Sequence, residues 1–358
     1  MMRVQALGGF DAKGPACFMV DTGRARLLLD MGKGPDAGRR PDLSGIGRVD
    51  AVLISHGHAD HVGSLDLLDR IGSPPVYATA PTRALAETPA LRDAQDLPIR
   101  GDIAGVSVET GLAGHAPGAV WMRVGGPGGL VYSGDYAEGT GLFPSAALPR
   151  AHTAILDCSY GVEPDHLTTQ IAALMQLAVD GPCLLPAPPA GRGLEIALAL
   201  LDSGRRVSIC DQIRQVGKVM LSHGDWLGST GVSDLDRLLN NAGRLEPDSP
   251  MQGIMVAAGA NCGSGLSEKL GPRALSAGVP IIFTGHLSQG SPAYDWVREG
   301  RATQVRWNVH PDRATLETLL SQTAAKIVIP AFATAAHRQS LSAAFPAVSW
   351  AAQGDISW

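Results

Sequence analysis

The sequence predicts a mixed α/β protein with a parallel α/β block set into its middle, and two observations carry that expectation. Short apolar runs bounded by turn residues fill the first half, while from about Thr168 to Gly300 the rhythm becomes a regular alternation of strand and helix, as a parallel sheet with crossover helices requires. Glycine and proline, 44 and 25 residues, are spread along the whole chain and mark many short turns rather than a low-complexity linker. The 358 residues suffice for a well-buried core in one large domain or two ordinary ones.

In chain order, strands are expected at Ala16–Val20, Ala25–Leu29, Ala51–Ile54, Val76–Ala78, Val106–Glu109, Val120–Val124 and Leu130–Tyr132, each a short apolar run between turns. Helices are expected from His61 to about Ile71 and around Thr82–Glu87. The middle block alternates Leu184–Pro186 with Leu194–Leu201, Val207–Ile209 with Ile213–Leu221, and Gly253–Ala257 with Leu266–Leu270, then closes on Ile281–Thr284. Beyond about Ala302 come a strand (Gln304–Trp307), a helix (Arg313–Gln322), a strand (Lys326–Ile329) and a final helix from about His337. Residues 166–300 are therefore expected as an inserted domain, and residues 1–165 with 301–358 as the domain that receives it.

A formal net charge of −5 and a pI near 6.0 weigh against a broad basic face for polyanions, although a metal centre with local arginines can hold a phosphodiester inside an acidic protein. The five cysteines, Cys17, Cys158, Cys183, Cys210 and Cys262, are scattered with no Cys-x-x-Cys pair, which points to reduced cytoplasmic thiols rather than a disulfide framework or a thiolate zinc site. The N-terminal residues lack the apolar core of a signal peptide, and no apolar run reaches the ~18–20 residues that span a bilayer. A soluble, cytoplasmic protein with no membrane association is the expectation.

The chemistry concentrates in His56-Gly57-His58-Ala59-Asp60-His61. The uncharged run Ala51–Ile54 should form a buried strand, so this polar cluster emerges at a strand's C-terminal end, where α/β folds place their sites. Three histidines and an aspartate on a loop that becomes a helix can turn imidazoles and a carboxylate into one cleft, the donor set zinc prefers at open catalytic sites. A lone histidine is more often a satisfied core residue than a ligand; this spacing makes that alternative weak.

The run resembles the His-x-His-x-Asp-His signature of the metallo-β-lactamase superfamily, and further segments resemble that family in order. Asp30, in Arg26-Leu-Leu-Leu-Asp30-Met-Gly32, resembles its early strand-end aspartate, which supports the loop by hydrogen bonding. His115, in Gly114-His115-Ala-Pro-Gly118, resembles the third histidine of the first metal site, and Asp135, in Tyr132-Ser-Gly-Asp135-Tyr136, the carboxylate that bridges two metals. Later segments resemble the β-CASP branch, which includes RNA-processing endonucleases and bacterial ribonucleases: Ile155-Leu-Asp157-Cys-Ser-Tyr160-Gly161, Leu185-Pro-Ala-Pro-Pro-Ala-Gly191-Arg192-Gly-Leu-Glu195, Phe283-Thr-Gly285 with Gly290-Ser291, and Asn308-Val-His310-Pro-Asp312.

The resemblance implies an αββα sandwich of the metallo-β-lactamase kind with an inserted β-CASP-like parallel α/β domain. It implies a metal-dependent phosphodiester hydrolase, a ribonuclease-type RNA-processing nuclease using a metal-activated water. His56, His58 and His115 would hold one metal, and Asp60, His61 and bridging Asp135 the other, with Asp60 also counted as catalytic. His310, poised by Asp157, would give a proton to the leaving oxygen. Zn2+ is the expected ion, one or two per chain, with Mn2+ as the alternative; RNA is the expected partner, single-stranded DNA the second choice, and a homo-oligomer is compatible. Arg192 is the candidate substrate-binding residue, since guanidinium matches phosphate bidentately, with a salt bridge to Glu195 as the equally weighted alternative.

Departures from the branch fall at informative places. Its RNA-cleaving members carry a further histidine at the end of the last core strand, where Ile327-Val-Ile-Pro330-Ala331-Phe332 places Phe332, so a second metal would bind weakly or not at all. His337 could replace that histidine only if the loop folds back, and reads instead as a surface helix residue. Asp157 and an apolar residue at position 332 both resemble DNA-processing members. Ala258-Gly259-Ala260 replaces the branch's Ser-Gly-Met, and Pro292 follows the Gly290-Ser291 turn where a basic residue is usual, which removes phosphate contacts. The alternatives are a DNA nuclease, a hydrolase of small phosphodiesters or other esters, and a non-catalytic metal-binding partner subunit, the last opposed by the intact ligand cluster.

Overall fold

The computed structural model describes residues 1–36, 38–139, 141–178 and 181–358. Their backbone contacts separate two compact units, one built from Met1–Glu138, Pro144–Pro164 and His310–Trp358, the other from Gly139–Phe143 and Asp165–Val309.

The first unit holds two sheets. A seven-stranded sheet runs in the order Asp355–Ser357, Arg3–Gly8, Cys17–Asp21, Arg26–Leu29, Ala51–Leu53, Val76–Ala78, Gln95–Asp96, antiparallel up to Arg26–Leu29 and parallel beyond it. A six-stranded sheet runs Ile327–Ala331, Thr153–Asp157, Leu130–Tyr132, Val120–Val124, Val106–Leu112, Arg100–Ile103, with its first three strands parallel and the rest antiparallel. The period of two along a strand sorts their side chains. Cys17, Met19, Leu28, Val52 and Ile54 turn outward into a cluster with Leu65, Ile71 and Leu91 from short helical segments. Phe18 turns the other way and meets Tyr132 of the second sheet, ring centroids 5.4 Å apart. On the second sheet Val131, Ala154, Leu156 and Val328 face outward onto Leu316 and Leu319 of helix Arg313–Thr323 and Leu341 of helix Ala335–Ala344. The layers are thus helix, sheet, sheet, helix, the αββα sandwich expected; each fully buried Leu or Ile contributes about 1.5–3 kcal/mol to holding them together.

Parallel pairing brings strand ends to common edges. Asp30 follows Arg26–Leu29 and Ser55 lies just past Ala51–Leu53 on one sheet, while Asp135 follows Leu130–Tyr132, Asp157 ends Thr153–Asp157 and Phe332 follows Ile327–Ala331 on the other. Asp30, Asp135, Asp157 and Phe332 are among the positions singled out from sequence.

The second unit centres on a four-stranded parallel sheet in the order Cys183–Ala187, Ile254–Ala258, Val207–Cys210, Gly243–Leu245. Its strands Cys183–Ala187 and Ile254–Ala258 are buried at every residue, as a sheet covered on both faces demands. Helices Arg192–Asp202, Asp211–Leu221 and Gly231–Asn241 lie between its strands along the chain and Gly265–Ser276 follows the last of them, so the alternation read from sequence is present. A short parallel pair, Ile282–Phe283 with Thr303–Gln304, continues from Leu184 through its bridge to Ile281.

Two expected elements take different forms. The single helix from His61 to Ile71 is instead a short helix, Ala59–Val62, and a 3₁₀ segment, Leu65–Ile71, because Gly63 closes the first and the Ser64 hydroxyl leaves the helix to donate to the Gly32 carbonyl at 2.5 Å. The strand expected at Gln304–Trp307 is Thr303–Gln304. Among the described residues no helix is long and apolar enough to cross a membrane, and all five cysteines are buried and unpaired.

Candidate metal centre

The centre is assembled inside the first unit, and Asp30 is its keystone. This residue takes a left-handed backbone conformation, φ 60°, which turns its fully buried carboxylate toward the loop after Ala51–Leu53. One oxygen accepts from the Ser55 amide at 2.7 Å; the other accepts from the Ser55 hydroxyl, the Tyr132 hydroxyl and His61 Nδ1, each at 2.7 Å. Beside it the loop must pass close under the histidine run. The Met31 amide donates to the His61 carbonyl at 2.8 Å, and a Cβ on Gly32 would lie 1.6 Å from the Asp60 carbonyl oxygen, so only glycine fits there.

These hydrogen bonds decide which ring nitrogens are bare. The Ser55 hydroxyl gives its proton to Asp30, so toward His56 Nδ1, 3.1 Å away, it accepts, which leaves the His56 Nε2 lone pair free to ligate. That nitrogen lies 3.1 Å from His58 Nδ1, and His58 Nδ1 lies 3.0 Å from His115 Nε2. Nitrogens bound tetrahedrally to zinc at ~2.0–2.1 Å sit about 3.3 Å apart, so the three rings suit one ion. Asp135 stands alongside, with Oδ2 3.4 Å from His115 Nε2 and 3.9 Å from His56 Nε2, and Oδ1 3.2 Å from His61 Nε2. Burial and then the neighbouring imidazoles push the His56 pKa well below the ordinary histidine value, so this ring is neutral, as a ligand must be. Burial also opposes charge on His61, but Asp135 and Asp30 at its two nitrogens outweigh that and raise its pKa well above the usual value.

A second constellation adjoins it. Asp157, fully buried, accepts from His310 Nδ1 at 2.8 Å, the Tyr136 amide at 3.1 Å, the Ser159 amide at 3.0 Å and the Ser159 hydroxyl at 2.6 Å. Burial works against its charge, yet His310 and the Ser159 hydrogen bonds hold its pKa below the usual carboxylate value. His310 therefore presents Nε2 outward, and Lys13 Nζ stands 3.2 Å from it, with the ammonium 5.2 Å from the centre of the Tyr160 ring. Burial opposes charge on Lys13 too, but Tyr160, Asp135, Asp60 and Asp157 raise its pKa. Sequence reasoning passed over this residue. The one signal was rarity: the chain has five lysines against 24 arginines, so lysine is an unusual choice in it.

The residues singled out from sequence fall into place unequally. His56, His58, His61, His115, Asp135 and His310 form three overlapping groups, His56–His58–His115, His56–His61–Asp135 and His115–Asp135–His310, whose donor atoms lie within 4.8 Å of one another in each group. Asp60 belongs to none of these groups; burial raises and His61, His58 and Lys13 lower its pKa, with the net below the usual value. Phe332, itself in a left-handed conformation at φ 61°, packs its ring against His61 at 5.5 Å and Phe18 at 6.3 Å. His337 lies in the first turn of helix Ala335–Ala344, its amide taken by the Thr334 hydroxyl at 3.2 Å, and is in none of the three groups. Arg192, in the second unit, opens helix Arg192–Asp202 and donates through Nη1 to the Thr284 carbonyl at 3.2 Å and the Trp307 carbonyl at 3.5 Å; a Cβ on Gly285 would strike its guanidinium. The guanidinium expected to grip phosphate thus braces its own unit's backbone.

Comparison with known proteins agrees with this architecture. A family model described as the metallo-beta-lactamase superfamily matches residues 11–190. The transcription termination factor FttA of Methanosarcina mazei is 26% identical over 299 residues, 68% of this chain and 46% of that protein, and FttA of Cenarchaeum symbiosum is 30% identical over 250 residues, 56% and 39% respectively. The chain thus spans less than half the length of these factors. Ribonuclease TTHA0252 of Thermus thermophilus is 31% identical over 244 residues, 58% of this chain and 56% of the ribonuclease. A crystal structure of a protein of unknown function from Enterococcus faecalis V583 superposes with a TM-score of 0.60 at 15% identity, covering 99% of both chains, which establishes a shared fold.

Proposed function

The chain belongs to the metallo-beta-lactamase superfamily, and on that basis we propose that it is a metal-dependent phosphodiester hydrolase that cleaves RNA. The observation that carries the proposal is the convergence of His56 Nε2, His58 Nδ1 and His115 Nε2 beside Asp135. A nitrogen-rich donor set favours Zn2+ over Mg2+ or Ca2+, with Mn2+ the second choice. When bound, a divalent ion supplies Lewis acidity, making water acidic enough to attack near neutral pH and offsetting charge that grows on phosphoryl oxygens.

The chain's own residues do the rest. Asp30 and Ser55 hold the His56 and His61 rings in the orientation that turns their Nε2 atoms toward Asp135. Asp135 adds a carboxylate between His61 and His115, and Asp60 tempers the field beside them. Asp157 fixes His310 through Nδ1 and Lys13 Nζ meets its Nε2 at 3.2 Å, so the proton that reaches the departing oxygen comes through this Lys13–His310 pair. RNA is preferred as substrate because one relative is named a ribonuclease and others are named transcription termination factors. Within this reading residues 1–165 and 301–358 make the catalytic domain and residues 166–300 the inserted one. Arg192 is assigned to shaping the turn at Gly285 in preference to holding phosphate. The five unpaired thiols fit a cytoplasmic setting.

The test is to incubate the zinc- or manganese-loaded protein with labelled single-stranded RNA, single-stranded DNA and bis(p-nitrophenyl) phosphate, beside a His58→Ala control. RNA cleavage that disappears in the control is the expected result. Turnover of the small ester alone would replace RNA with a small phosphodiester, DNA cleavage alone would make this a DNA nuclease, and no turnover of any substrate would leave a metal-binding partner subunit.

A further inference from the structure

We propose that the Lys13 ammonium is the second cation of the centre: the site takes one divalent ion, and Lys13 supplies the positive charge that another ion would bring. This deepens the hydrolase reading and rests on it.

Donor geometry comes first. The three groups of donors overlap, since the first and second share His56 and the first and third share His115. One imidazole nitrogen has one lone pair and serves one ion. Once His56, His58 and His115 close on an ion, the second group keeps only His61 and Asp135. The third keeps Asp135 and His310, and His310 already engages Asp157 through Nδ1 and Lys13 through Nε2. Against His61 lies the ring of Phe332, a hydrocarbon face with no donor to add.

Charge points the same way. Lys13 lies in the field of three carboxylates, those of Asp60, Asp135 and Asp157. One divalent ion leaves one of those negative charges uncompensated, and a buried uncompensated carboxylate is costly. An ammonium is the complement, and it stands 3.2 Å from His310 Nε2 with the Tyr160 ring beneath it. Lysine suits the place better than arginine: a compact, three-donor point charge resembles a small hydrated ion, whereas a guanidinium is a broad plane. In a chain with 24 arginines and five lysines, lysine is found here.

The experiment counts ions per chain by elemental analysis and native mass spectrometry after dialysis against excess Zn2+ and then a weak chelator. Four proteins are compared, with circular dichroism as the folding control: wild type, Phe332→His, Lys13→Gln, and Lys13→Gln with Phe332→His. The expected outcome is one ion in wild type and in Phe332→His, and two in the double variant, where a donor has been added and the competing ammonium removed. Lys13→Gln alone should raise affinity for a second ion about tenfold or more in a Mn2+ titration followed by electron paramagnetic resonance, the scale of one unit charge removed at a few ångströms in a partly screened site. That single substitution keeps the question decidable if the double variant does not fold. Two tightly held ions in wild type or in Phe332→His, or an unchanged second-ion affinity in Lys13→Gln, overturns the proposal while leaving the hydrolase reading intact. A wild type that holds no ion overturns both.

Discussion

Asp30 shows how much a single carboxylate can organise. Its four hydrogen bonds orient His61, anchor the loop through Ser55 and engage Tyr132. Replacing Asp30 with alanine would strand these buried donors; the expected cost is about 3–5 kcal/mol of folding stability, measured by urea titration, together with a drop of about 10- to 100-fold in zinc affinity measured by chelator competition. An Asp30→Ala protein with wild-type zinc affinity would mean that the histidines orient themselves. His56, His58 and His61 could be singled out because their motif is local, and His115 and Asp135 because their segments resemble the same family in order; the structure brings the five side chains together. Lys13 was not singled out, since its partner His310 is 297 positions away and a lone lysine reads as solvated surface. The packing of Phe332 on His61 was equally hidden: sequence could say that phenylalanine does not ligate, but not which ring it would cover.

At the scale of elements, local signals served strands well. Val76–Ala78, Val120–Val124 and Leu130–Tyr132 have the bounds expected of them, because each is a short apolar run closed by turn residues. The strands Arg3–Gly8 and Asp355–Ser357 were missed; the second pairs with the first across the length of the chain, which no local pattern announces. Helix starts near the site depend on caps that sequence spacing only hints at. The Asp312 carboxylate, two residues after His310, accepts from the Thr315 amide at 2.8 Å and fixes the start of helix Arg313–Thr323. Asp312→Ala is expected to cost about 1 kcal/mol in chemical denaturation. The same change should lower turnover more than substrate affinity, because it loosens the segment that carries His310; equal loss in both would tie Asp312 to substrate instead.

For the whole molecule, composition was a better guide to what stays buried than to what is bound. All five cysteines are inside, and burial pushes the Cys183 thiol up to about 11 and the Cys262 thiol up to about 12, so thiolate forms only as pH climbs toward those values. At pH 8 the native protein should therefore react slowly with a thiol-specific disulfide reagent, and all five thiols should react promptly in guanidinium. Prompt reaction of the native protein would show that the core opens readily.

The reach of the Tyr132 hydroxyl from one sheet to Asp30 at the end of a strand in the other has a thermal consequence. The ion-binding rings and the sandwich interior share a hydrogen-bonded hinge pin, so whatever steadies the rings also steadies the slabs. Calorimetry should find the zinc-loaded protein melting later than the chelator-stripped one, with up to about 4 kcal/mol of added stability when free zinc stands at a thousand times its dissociation constant. The reagent for the chemistry would then double as ballast for the shell, and cells short of metal would carry a softer protein as well as an idle one.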